Sequence, residues 1–489
     1  MKNRTARVGN DLFKNTAVSA IATGIQGLAN LVAVVYLARI FGPSAYGVFS
    51  YTWAVIGIVG VFTYLGVPTL LNRKVSLAED SALPHLVGLG LSITSLISIS
   101  IGVLYLVAVQ VIPGLSTYRL LFDIWTLALL PAGVTPRWIF SGLSRLWMSS
   151  VVDLAATMLR LVCILCFVHS PKQIPWAIAI TVGTQFVAML ADLAWIRRIM
   201  PWRFQWISWH VGKDTIRQGL PLAITGFVGI LYSGVDTWLL EGFRGATEVG
   251  YYAAAYRPVA FLATFSLVYF NLAFPILSRL IASAPKDVAQ FLQRATLAIV
   301  AIVLPIGLGS DVIARPLMIA AFGPRYAASG PVLMIIIWSW AIGLLRDTFS
   351  TALIASHREK QYAKFVGLGG ALNLVAMLFL VRFDGVGLAS ALVLTQLVLF
   401  AFCLRSVQRS LRPPVAWRPI SRSLAKLLIS SVGMALAVMA IQHWVSVWIA
   451  IGAGIVIYGG LVLITQALPI TDLLATFRPT TPSTQAPLD

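Results

Sequence analysis

NTAVSAIATGIQGLANLVAVVYLA, residues 15–38, runs for 24 residues without a Lys, Arg, Asp or Glu. A helix rises about 1.5 Å per residue and the hydrocarbon core of a bilayer is about 30 Å thick, so about 20 apolar residues make one crossing. The stretch therefore reads as a transmembrane helix. The same absence of charge recurs over residues 40–72, 81–118 and 427–471. Of the 489 residues, 58% are apolar and only 11% charged, too little polar cover for a soluble surface of this size. Mean hydropathy is +0.87, and no long polar stretch is left to build a soluble enzyme domain. The sequence predicts an all-α integral membrane protein.

Pro, Gly and charged residues divide it into about fourteen spans, near residues 15–38, 47–70, 86–111, 118–137, 149–169, 175–196, 216–240, 250–276, 294–318, 329–354, 365–381, 386–404, 424–442 and 444–466. The fourth and ninth are the least regular, because Asp123, Asp311 and Arg315 intrude on them. A net charge of +19 would suggest nucleic acid in a soluble protein. Here the basic residues sit in short connections, where they set topology and meet anionic headgroups, so membrane lipids and not nucleic acid are the expected partners. With the amino terminus in the cytoplasm, roughly 26 of the 36 Lys and Arg lie on the inner side, most densely over 197–217 and 405–426. Trp202, Trp206 and Trp209 in the first of those segments suit the interface.

Residues 1–14 then form a cytoplasmic amino terminus with Lys2, Arg4, Arg7 and Lys14. The apolar run that follows is too long, and lacks the small-residue cleavage site, for a signal peptide. A tail over 469–489, rich in Pro and Thr, is expected to be disordered and cytoplasmic. Cys163 and Cys166 make a C-x-x-C inside an apolar span with no second pair, so they read as packing residues rather than metal or redox ligands.

An internal repeat organises the spans. FGPSAYGVFSYTW (41–53) and FRGATEVGYYAAAYR (243–257) share G-x4-G-x-aromatic, with Gly42, Gly47 and Phe49 answering to Gly245, Gly250 and Tyr252. Downstream, VPTLLNR (67–73) matches FPILSR (274–279), each with a Pro near the inner end of a span and an Arg just after it. Six spans separate the copies, so the halves share one orientation about an axis along the membrane normal. The lobes predicted are 15–205 (spans one to six) and 206–405 (seven to twelve), followed by two further helices over 406–468. Two parallel six-helix lobes leave room for a cleft lined by the first and second helices of each. Two similar hairpins without a wider repeat are the alternative.

The residues that carry this pattern resemble a known family. YLARIFGPSAYGVFSYTWAVIGIVGVFTYLGVPTLLNRKVS (36–76) is similar to the opening hairpin of the Wzx-like polysaccharide (O-antigen) flippases, within the multidrug/oligosaccharidyl-lipid/polysaccharide (MOP) superfamily. RWIFSGLSRLWMSSVVDL (137–154) resembles the family's connection between the fourth and fifth helices, with Ser141 where the family commonly has Gln. GATEVGYYAAAYRPV (245–259) and FGPRYAASGPVL (322–333) also resemble family segments, and the likeness covers roughly the first 400 residues. It implies two pseudo-symmetric six-helix lobes forming a V-shaped central cavity, often with two extra carboxyl-terminal helices. It also implies a secondary transporter that moves undecaprenyl-pyrophosphate-linked oligosaccharide across the bacterial cytoplasmic membrane. A proton or sodium gradient would drive it without a cofactor, alongside other membrane proteins of polysaccharide assembly.

Such a head group needs a hydrated, cationic cavity, and its polyprenyl tail needs a lateral opening. Arg fits the first task, since its guanidinium binds phosphate bidentately and stays charged when partly desolvated. Intramembrane ionisable residues are functional candidates by default because each is costly to insert. Arg257 lies on the order of 10 Å below the outer surface. It reads either as a phosphate ligand or as an ion-pair partner of Asp236, itself the acidic candidate for ion coupling. Arg73 and Arg279 fall at the inner ends of the second and eighth spans, where they recruit pyrophosphate or serve as positive-inside anchors. Gln26, Asn30 and Asn271 are candidates for hydrogen bonds to sugar, or for interhelical contacts. Asp153, Asp192 and Asp347 suit structural pairing, and Arg160 lies away from the cleft.

No H-E-x-x-H, G-x-S-x-G or G-x-x-x-x-G-K-[ST] occurs. With no enzyme site and no metal ligands in view, a transporter is the expectation. A lipid II flippase or a small-molecule antiporter of the same superfamily stays open beside it. A membrane glycosyltransferase or polysaccharide polymerase is disfavoured by outer connections no longer than about a dozen residues.

Overall fold

The computed structural model describes residues 2–79, 81–206, 209–230, 234–411 and 414–467. Among them there is no strand; they form helices joined by turns. The tail expected to be disordered lies outside the described residues. Nine helical stretches among the described residues are long and apolar enough to cross a membrane, against the fourteen crossings expected. Two of the nine, Ile21–Tyr64 and Glu359–Ser410, each contain a break between two shorter helices.

The chain divides into two compact units. The first comprises Met1–Arg257, Ala321–Tyr326 and Met377–Gly385. It opens with α1 (Lys2–Tyr64), in which Gly42 at φ 70, ψ 174 separates two helices and Pro43 starts the second. Pro is well placed there, because its fixed φ suits a first turn whose N–H has no partner anyway. α2 (Val67–Leu77) and α3 (Leu83–Val111) follow. After the short α4 (Pro113–Ser116), the fourth expected span is not one rod but three pieces, α5 (Arg119–Thr126), α6 (Leu129–Val134) and α7 (Arg137–Gly142). Pro136 explains the second break, because a residue before Pro is driven out of the helical region, and Thr135 sits at ψ 120. α8 (Leu146–Phe167), α9 (Ile174–Ile199), α10 (Trp209–Ile230), α11 (Val235–Arg244) and the start of α12 (Ala246–Ser283) complete the unit. Its core joins Val67 and Leu71 of α2, Val87 and Leu91 of α3, Phe140 of α7 and Ile196 of α9.

The two glycine motifs meet each other inside this unit. Gly245, the turn before α12, takes φ 84, ψ 172, nearly the conformation of Gly42. A Cβ on Gly47 would lie 1.7 Å from the carbonyl oxygen of Ala246, and one on Gly250 would lie 1.9 Å from that of Pro43. Each motif's second glycine is thus the place where the other motif's backbone abuts. Around this crossing, Tyr326 donates to the Ala38 carbonyl at 2.9 Å, and Arg39 Nε donates to that of Ala321 at 2.7 Å.

The second unit comprises Pro258–Ala320, Ala327–Ala376 and Val386–Asp489. It takes the rest of α12, most of α13 (Val288–Phe322), α14 (Ser329–Ala355), most of α15 (Glu359–Leu380) and α16 (Asp384–Ser410), then α17 (Arg418–Ile441) and α18 (Val447–Thr465). Leu277, Leu292, Phe349, Leu353, Cys403 and Val407 form one core there. The last two helices pack on α13 through Leu297, Ala301, Leu427 and Val462, and Tyr458 donates to the Ala301 carbonyl at 2.7 Å. The ninth expected span lies within the unbroken α13, which accommodates Asp311 by letting its carboxylate accept from Trp338 Nε1 at 3.2 Å.

Candidate functional site

A cavity of about 490 Å³ lies in the first unit, between the second half of α1, the start of α11 and the start of α12. Ser50, Trp53 and Gly57 line it from α1; Asp236 and Arg257 line it from the other two. The sequence places the carboxylate there through Gly234, whose φ of 128 lets the chain turn sharply into α11. Asp236 comes two residues later, in the first turn, where a negative charge meets the exposed N–H groups of a helix end.

Asp236 is 5% exposed and fully engaged. Its Oδ1 accepts from the backbone N–H groups of Gly234 at 3.0 Å and Thr237 at 2.7 Å, and from Thr237 Oγ1 at 3.2 Å. Its Oδ2 accepts from the buried hydroxyl of Tyr252 at 2.8 Å. Arg257 instead donates from Nε to the Tyr46 hydroxyl at 3.0 Å. Among the described residues, no ion pair within 4.0 Å joins Asp236 to Arg257, and the other guanidinium nitrogens of Arg257 have no hydrogen-bond partner. One cavity thus holds a carboxylate satisfied by neutral donors and a cation that keeps spare donors. Such a cation can take an anion without first giving up a carboxylate.

The remaining candidates are dispersed. Arg73 is exposed on α2, and Arg279 is exposed on α12, where its Nε donates to the Pro275 carbonyl of its own helix at 3.3 Å. They belong to different units. Gln26 Nε2 donates to the Ser150 carbonyl at 3.0 Å, and Asn30 Oδ1 accepts from Arg160, so both amides tie α1 to α8. The side chain of Asn271 lies outside the described residues. Asp153 pairs with Arg137, and Asp347 pairs with Arg346 at 2.6 Å. Arg346 also donates to Gln396 at 2.8 Å. Asp192 is fully buried and accepts from Ser149 at 3.2 Å. Sequence reasoning missed Tyr46 and Tyr252 as the polar partners of the site. Tyr252 was visible as the aromatic of the second glycine motif, but nothing in its spacing pointed its hydroxyl at Asp236.

A second cavity, about 420 Å³ and almost wholly apolar, lies in the second unit between α13, α17 and α18. Ile302, Ile306, Met434, Ile451 and Ile455 are among its lining residues. An elongated hydrocarbon chain fits such walls, whereas a charged group does not.

The family model for "Polysaccharide biosynthesis protein" matches residues 12–281. A "Putative O-antigen transporter" of Escherichia coli (strain K12) is 22% identical over 413 residues, covering 82% of this chain and 97% of its own. The structure of lipid II flippase MurJ in an inward closed conformation superposes with a TM-score of 0.74 at 15% identity, over 94% of this chain and all of that one. An inward-facing multidrug resistance MATE family transporter of the MOP superfamily gives 0.62 at 14% identity, over 78% and 94%. At such identities the structural likeness speaks to the fold alone.

Proposed function

Because the chain belongs to the polysaccharide biosynthesis protein family and has the fold of the MOP transporters, we propose that it is a flippase for lipid-linked oligosaccharide. The substrate is an undecaprenyl-pyrophosphate-linked oligosaccharide, carried from the inner to the outer leaflet of the bacterial cytoplasmic membrane, with both termini of the protein in the cytoplasm. One observation supports this most: Arg257, a cation of the first unit whose other guanidinium donors have no partner among the described residues, lines a cavity large enough for a small polar head group. A pyrophosphate can occupy donors of this kind bidentately.

Arg73 and Arg279 are the inner-end cations that meet the head group first. The apolar cavity beside α17 and α18 suits a stretch of the polyprenyl tail. Transport against a gradient needs two states with different affinities. Asp236, held among the described residues by neutral donors, is the candidate for coupling to a proton or sodium ion. Residue by residue, Gln26 and Asn30 are spent between α1 and α8, so sugar contacts fall to other side chains.

A lipid II flippase, whose fold this chain shares, is the second reading. Chromosomal deletion separates the two. A viable strain that loses surface polysaccharide while lipid-linked oligosaccharide accumulates supports the proposal. A strain that lyses unless a lipid II flippase is supplied supports the second reading.

A further inference from the structure

A third cavity, of about 620 Å³, lies wholly within the first unit and shares no lining residue with the Arg257 site. It forms where two interrupted helices meet. One break separates α1 from α2, where Leu65 adopts φ 42, a left-handed conformation that costs a side-chain-bearing residue energy. The other separates α6 from α7 at Thr135–Pro136. Paired interruptions of transmembrane helices of this kind line binding sites in transporters. The cavity follows directly along the chain from the Arg257 site. Val61 lines that site and Tyr64 this one, about 4.5 Å apart by helical rise.

The lining has a specific chemistry. Arg137 and Asp153 form an ion pair there and leave no net charge. Asn72 of α2 and Gln185 of α9, both half-buried, line the cavity with amides that have no hydrogen-bond partner among the described residues. Trp138 is 5% exposed, and its Nε1–H is likewise unpartnered. Buried polar groups are normally satisfied, so the unpartnered indole N–H of Trp138, beside two half-buried amides with free donors and acceptors, points to an absent polar ligand. An anion would want an unpaired cation, and a cationic drug an unpaired carboxylate; neither is offered. Amides carry donors and acceptors together and so match hydroxyl groups, which also carry both. The rings of Tyr64 and Trp138 supply aromatic faces for the C–H side of a pyranose.

We infer that this cavity is a saccharide subsite, built from Asn72, Gln185, Trp138 and the Arg137–Asp153 pair, that holds a sugar of the substrate separately from its pyrophosphate. The inference takes its ligand class from the lipid-linked oligosaccharide reading above.

Alkylation of a cysteine inside the cavity tests it. Ala188 and Ala132 line the cavity and carry none of its polar groups. In a chain freed of its own thiols (Cys163→Ser, Cys166→Ser, Cys403→Ser) and placed in nanodiscs, Ala188→Cys is reacted with N-ethylmaleimide, and Ala132→Cys serves if the first variant fails to fold. The probes are the oligosaccharide released from the host's own lipid-linked precursor, and sugar-free undecaprenyl pyrophosphate. The released oligosaccharide is expected to slow alkylation several-fold, the sugar-free carrier to leave it unchanged, and Asn72→Leu with Gln185→Leu to weaken the protection about tenfold in concentration, the loss of one to two hydrogen bonds. No slowing by saccharide, or equal slowing by the sugar-free carrier, overturns the subsite. The deletion phenotype is scored independently. Inner-leaflet accumulation without protection by saccharide defeats the subsite alone, and a deletion that leaves the polysaccharide untouched defeats the flippase reading alone.

Discussion

At the scale of single residues, Asp236 and Arg257 share a cavity without pairing, and that separates their expected phenotypes. Exchanging them (Asp236→Arg with Arg257→Asp) should rescue neither protein level nor export, because an Arg at 236 would face the N–H donors of Gly234 and Thr237. Recovery of both in a membrane-fraction immunoblot and a surface-polysaccharide assay would show that the two residues do pair. Arg257→Ala should abolish export at normal protein level, and Arg257→Lys should restore it only in part, since a point charge lacks the guanidinium fork. Tyr252→Phe strips one buried acceptor of its donor and should lower stability by about 1–3 kcal/mol, read as a reduced melting temperature in detergent. The identity of the charged residues was legible in the sequence, because charge inside an apolar run is conspicuous. Their partners were not. Tyr46 lies 211 positions from Arg257, and no local pattern encodes a contact at that separation.

At the scale of elements, the glycine motifs do more than mark turns. Gly47 and Gly250 sit where a carbonyl oxygen of the other motif already fills the place of a Cβ. Gly47→Ala or Gly250→Ala must therefore push two backbones apart, and either should cost about 1–3 kcal/mol or more by overpacking. Gly24 and Gly27 have open space at the same position and serve as neutral controls. Accumulation in the membrane, compared across the four variants, checks this; equal levels would mean that the crossing is not tight. The sequence showed both motifs and their common spacing, and Gly42 and Gly245 take nearly the same φ and ψ. It did not show that the copies touch, since a repeat reports similarity and not contact. The fourth span was flagged by Asp123, yet its three-piece form follows instead from Pro136 and the turn before α6. The polar cavity at that break was invisible because its walls come from six separate helices.

For the whole molecule, the membrane class was legible from charge alone, since nothing but a bilayer accommodates such long uncharged runs. The family likeness carried the fold further than hydropathy could, and the match over residues 12–281 sustains it. Orientation is the expectation that the basic residues set, and Ser421, exposed on α17, checks it. A Ser421→Cys chain should react with an impermeant thiol reagent only after the cells are permeabilised. Direction of transport is the central matter, and the sidedness of the accumulated substrate reports it most directly. In a deletion strain, lipid-linked oligosaccharide should sit in the inner leaflet, protected from an impermeant glycosidase in intact spheroplasts and cleaved once the membrane is opened. Oligosaccharide that the enzyme reaches in intact spheroplasts would place the missing step after translocation and contradict a flippase.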